Sequence, residues 1–91
     1  MKIRIEKEDV ARYIAGTGDS EWISDKECVL DLYDIEPPVT MDLVFAKGGA
    51  FVDGAYKMAY DEEEGGWYMA EEITDKETVL RALADAGVIP A

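Results

Sequence analysis

The chain has no histidine. The commonest general base and the commonest transition-metal ligand are therefore both missing. Cys28 is the single cysteine, which excludes an intramolecular disulfide and a zinc-type ligand cluster. It lies in the apolar run Cys28-Val29-Leu30 with no adjoining basic residue. It therefore reads as a small core residue rather than a nucleophile. A lone thiol fits a reducing compartment. The opening Lys2-Ile3-Arg4-Ile5 has no secretory apolar region, and no apolar run approaches membrane-spanning length. Together these absences predict a cytoplasmic location.

Positive charge is also scarce. Nine basic residues face 21 acidic ones, a net charge of −12 on 91 residues. Such a chain repels free nucleic acid and anionic membrane at long range. It attracts cations and basic protein surfaces. Acidity can also serve solubility alone, so the placement of the carboxylates has to decide.

Recognisable catalytic motifs are absent as well. There is no P-loop and no G-x-G-x-x-G pattern. Residues 61–72 and 31–42 are rich in oxygen ligands but lack the alternation, central glycine and late glutamate of an EF-hand. A paired-carboxylate mechanism needs a cleft, which a domain of this length rarely encloses. An enzyme is thus the least favoured class, and no catalytic residue, metal or cofactor is expected.

Hydrophobic residues make up 48% of the chain, enough to exclude disorder as the default. The length is that of one domain, residues 1–91, with an expected stability of about 5–13 kcal/mol. Self-repulsion of the net charge subtracts from that figure.

Residues 50–72 look like the organising element, a β-hairpin with arms at 50–60 and 67–72. Tyr56, Met58 and Tyr60 alternate with Lys57 and Ala59, the two-residue period of a half-buried strand. Trp67, Tyr68 and Met69 supply large side chains to the returning arm. Gly65-Gly66 suit the turn. Asp61, Glu62, Glu63 and Glu64 then sit at a solvated tip.

Upstream, residues 2–6 alternate as a strand, and 8–15 place Val10, Tyr13 and Ile14 on one helical face. Gly16 ends that helix, and 17–21 read as a loop. Residues 39–46 form a strand with Met41, Leu43 and Phe45 on one face. Gly48-Gly49 turn into the hairpin, and Asp53-Gly54 mark a bend or bulge.

Two octets nearly repeat. Ile23-Ser24-Asp25-Lys26-Glu27-Cys28-Val29-Leu30 and Ile73-Thr74-Asp75-Lys76-Glu77-Thr78-Val79-Leu80 differ at Ser24/Thr74 and Cys28/Thr78 only. Each holds a hydroxyl residue followed three positions later by Glu, the capping-box pattern. The second octet begins a helix with Val79, Leu80, Leu83 and Ala84 buried and Gly87 beyond its end. The same cap predicts a helix over 25–35, with Glu27, Asp31 and Asp34 as an acidic line on one face. A strand there would instead put Cys28, Leu30 and Leu32 on one face. The expected fold is α+β in the order β-α-α-β-β-β-α. It has an antiparallel sheet of three or four strands and two or three helices on one face.

Carboxylates gather at Asp19 and Glu21, at Glu27, Asp31, Asp34 and Glu36, at residues 61–64, and at Glu71, Glu72 and Asp75. In extended chain, carboxylates two residues apart lie about 6–7 Å apart on one face, comparable with successive phosphates of a nucleic-acid strand. The aromatic residues are expected mainly in the core, with Trp67 partly exposed beside the tip as an interface anchor.

These features point to a nonenzymatic inhibitor that acts as a nucleic-acid mimic. It would occupy the basic nucleic-acid-binding surface of a nuclease or CRISPR-type effector complex. By composition alone the chain is analogous to the small acidic anti-defence (anti-CRISPR) proteins of phages. The expected contact residues are Asp61, Glu62, Glu63, Glu64, Trp67, Glu71, Glu72, Asp31, Asp34 and Glu36. The partner would be a basic protein, with no direct contact to nucleic acid or membrane. The alternative is an immunity-protein or antitoxin-like binding module whose acidity is incidental.

Overall fold

Hydrophobic alternation builds most of the molecule. The computed structural model describes residues 2–16, 22–46 and 49–90. Its elements are β1 (Ile3–Ile5), α1 (Lys7–Ala15), β2 (Glu27–Leu32), β3 (Val39–Ala46), β4 (Gly49–Asp61), β5 (Gly66–Glu72) and α2 (Lys76–Asp85). The predicted loop 17–21, with Asp19 and Glu21, and Gly48 of the predicted turn lie outside the described residues.

The five strands form one mixed sheet in the order β1-β2-β3-β4-β5. β2 to β5 pair antiparallel with their sequence neighbours. β1 pairs parallel with β2, because the intervening chain crosses over through α1 instead of turning tightly. The expectation of a purely antiparallel sheet with three or four strands is corrected in both respects.

The extra strand is the segment predicted as a helix over 25–35. Cys28 and Leu30 are fully buried and Leu32 nearly so, while Val29 and Asp31 face the other way. They stand opposite Leu43, Met41 and Val39 of β3. Period-two burial in the middle of a sheet outweighs a cap worth about 1 kcal/mol. The cap is also otherwise engaged. The Ser24 hydroxyl is 3.0 Å from the Tyr13 hydroxyl, Asp25 adopts φ 62°, and its N–H donates to the Phe45 carbonyl.

Both helices cover one sheet face. Val10 of α1 and Val79, Ala82 and Leu83 of α2 join Leu30, Met41, Leu43, Phe45 and Ala55 in a single core. Tyr13 packs edge-on to Phe45 at 4.9 Å. α1 closes on Gly16 in the left-handed region, as expected. α2 is capped by Asp75, one residue after the hydroxyl cap predicted at Thr74. The Asp75 carboxylate accepts from the N–H of Glu77 and Thr78, both at 3.3 Å, and from the Thr78 hydroxyl at 2.7 Å. Within α2, Ala82 takes the buried position expected of Leu80, which is exposed.

The other sheet face is solvated and tied by opposite charges. Lys2 meets Asp42 at 3.0 Å, and Arg4 pairs with Asp31. Asp31 also accepts from the Thr40 hydroxyl at 2.6 Å. The predicted bulge lies at Asp53, where the register with β3 shifts between Asp42 and Leu43.

Candidate functional site: the hairpin end

β4 runs past the end of β3. The last β3 pair is Val39 with Lys57, and the Met58 N–H donates to the Pro38 carbonyl at 2.8 Å. From Ala59 to Asp61 the only strand beside β4 among the described residues is β5. The hairpin therefore ends as a two-stranded ribbon.

The ribbon carries an aromatic cluster. Tyr60 stands opposite Trp67, and their rings meet edge-on at 5.3 Å. Tyr33, one residue beyond β2, approaches the same indole at 5.4 Å. All three remain about half exposed: Tyr33 51%, Tyr60 50% and Trp67 47%. Trp22 and Tyr68 are equally exposed. The expectation that most aromatic residues lie in the core is thus corrected for Trp22, Tyr60 and Tyr68; among the described residues, aliphatic side chains with Cys28, Met41 and Phe45 fill it. Tyr33 and Tyr60 are the site residues that sequence reasoning passed over. In the helix expected over 25–35, Tyr33 shares an apolar face with Cys28, Val29 and Leu32, so nothing sets it apart.

Beside the cluster lies the acidic turn. Asp61 holds its backbone: Oδ1 accepts from the N–H of Glu63 at 3.0 Å and Glu64 at 3.3 Å. The Asp61 carbonyl accepts from the Gly65 N–H at 2.8 Å. Gly65 closes the turn at φ 70°, where an L side chain is strained. Glu62, Glu63 and Glu64 project into solvent. Among the described residues no salt bridge reaches residues 61–64, Glu36 or Glu72. The turn, Trp67 and Tyr68 border a shallow depression of about 250 Å³.

The ten candidate contact residues divide on this geometry. Residues 61–64 and Trp67 come together at the hairpin end. Glu72 follows along β5, opposite Tyr56. Glu71 lies 3.6 Å from Lys57. Asp31 is neutralised by Arg4. Asp34 meets Lys7 at 2.5 Å; that contact lowers the Asp34 pKa and raises that of Lys7. Glu36 is exposed next to Pro37. With residues 27–32 in a strand, the acidic line of Glu27, Asp31 and Asp34 at helical spacing does not form. The tip is a turn, so the phosphate-like two-residue spacing of extended chain does not describe residues 61–64.

A second concavity of about 580 Å³ opens between α1 and α2 over β4. Its walls are aliphatic apart from Phe51, Asp53, Thr74 and Lys76. Burial raises the Cys28 pKa, which disfavours the thiolate a nucleophile needs. Among the described residues no group of three His, Cys, Asp or Glu side chains is arranged to hold a metal ion. None of their helices is long and apolar enough to cross a membrane. Compared with protein-family models, with curated proteins and with solved structures, the chain has no match.

Proposed function

We propose that this chain is a nonenzymatic inhibitor that docks through its hairpin end onto a basic, nucleic-acid-binding protein surface and excludes the nucleic acid. The class of target is a nuclease or a CRISPR-type effector complex, and the setting is phage anti-defence within the cytoplasm. One observation carries the reading: a backbone-fixed acidic turn, with no cation partner among the described residues, adjoins three half-exposed aromatic rings. Carboxylates steer a basic partner and aromatic rings anchor it.

The test is capture from lysate at low salt, stepwise salt elution, and competition with DNA and RNA. A basic nucleic-acid-handling protein should be retained, released by added nucleic acid, and weakened as ionic strength rises from about 0.05 to about 0.3 M. The triple variant Glu62→Lys, Glu63→Lys, Glu64→Lys should lose that protein while keeping the wild-type melting transition. Equal retention by the triple variant would refute the reading. The aromatic cluster also suits an immunity-protein or antitoxin-like module that recognises one partner by shape. Such a partner would resist displacement by nucleic acid and respond to Trp67→Ala more than to the charge reversals.

A further inference from the structure

The two edges of the sheet are defended very differently. β1 is three residues long, and its central Arg4 and the adjoining Lys2 are tied to Asp31 and Asp42. Short edges and bound charges are usual devices against unwanted strand pairing. β5 is seven residues long, Gly66–Glu72, and contains no lysine, arginine or proline. Among the described residues it pairs with β4 alone. Its other side leaves backbone donors and acceptors without a strand partner. Only the irregularity at Ala70 interrupts it, where the register jumps from Lys57–Glu71 to Met58–Met69.

The side chains along this edge are large and open to solvent: Tyr68 is 52% and Met69 63% exposed. Residues directly opposite share a sheet face. Trp67 and Met69 therefore lie on the face of Tyr60 and Met58, and Tyr68 on the face of Ala59. Carboxylates bracket the apolar stretch, with residues 61–64 at one end and Glu71 and Glu72 at the other.

We propose that β5 is a docking edge for an extended, Lys/Arg-bearing segment of the partner, added as a further strand beside Trp67, Tyr68 and Met69. Main-chain hydrogen bonds to Gly66–Met69 supply register, and alternate apolar side chains pack on the exposed rings. The flanking cations meet the acidic turn and Glu72. Charge selects this occupant over a second copy of the chain, since two bodies of net charge −12 repel. The proposal rests on the reading of the hairpin end as a partner surface and adds the mode of recognition.

The probe is a short synthetic peptide of alternating lysine and valine, mixed with the intact chain at low salt. Two control peptides carry N-methyl groups on one or the other alternate set of amides, which keeps the charge and removes one edge of donors. The expected result is binding that slows hydrogen exchange at alternate amides of β5. Methylation of one set should weaken it by roughly tenfold or more, through lost backbone bonds, and methylation of the other set much less. Equal binding by all three peptides, or protection confined to residues 61–64, would overturn strand addition and leave the acidic surface standing. Absence of peptide binding, or self-association through β5 in sedimentation, would overturn it as well. If the peptide adds to β5 but captured partners ignore nucleic acid, strand addition holds and mimicry falls.

Discussion

Asp75 shows how one carboxylate sets a boundary. It caps α2 through two backbone N–H groups and the Thr78 hydroxyl. The Thr78 hydroxyl is the largest cause of its lowered pKa. A group with a depressed folded pKa stabilises fully above its unfolded value of about 3.9 and loses that effect as pH falls through the folded value. Asp75→Ala should therefore lower the Tm by roughly a few degrees at neutral pH. The gap to wild type should narrow as pH falls below the unfolded value of about 3.9 in thermal scans. Cys28 makes a second prediction at this scale. Full burial and a raised pKa should make it react with a thiol reagent far more slowly at neutral pH than in urea.

At the scale of elements, the two near-identical octets are the informative pair. One becomes a turn and β2, the other a capped helix, although they differ only at Ser24/Thr74 and Cys28/Thr78. Thr78 reinforces the Asp75 cap, and Cys28 cannot do so. The residues downstream of each octet matter more. Leu32 extends the alternation of Cys28 and Leu30, whereas Ala82, Leu83 and Ala86 extend the helical spacing from Val79. Leu30→Ala should cost about 2–5 kcal/mol by urea denaturation. Val29→Ala, on the solvated face, should cost under about 1 kcal/mol. A helix over these residues would bury Val29 instead. The strands at 39–46 and 50–72, the helices and the Asp53 bulge were legible because their periods agree with their caps and turns. Residues 25–35 were not, because a local helix signal opposed a tertiary pairing. The acidic tip was legible as a turn. Its neighbour Tyr33 was not, because it reaches Trp67 only through the register of the sheet.

For the molecule as a whole, charge has two opposing roles. Each of the five ion pairs among the described residues keeps at least one partner exposed, and such pairs contribute little each. Net repulsion should dominate, so raising salt from about 0.01 to about 0.3 M should raise the Tm. The same salt should weaken capture of a basic partner, and a fall in Tm would show that the pairs outweigh the repulsion. The clamp that Asp61 places on its own turn has a consequence for association. Restricting a free residue's backbone costs about 1–2 kcal/mol of conformational entropy, and in Glu62, Glu63 and Glu64 folding has already imposed most of that restriction. A docking protein thus meets charges on a preset backbone and needs to still only their side chains, so more of the attraction survives as affinity.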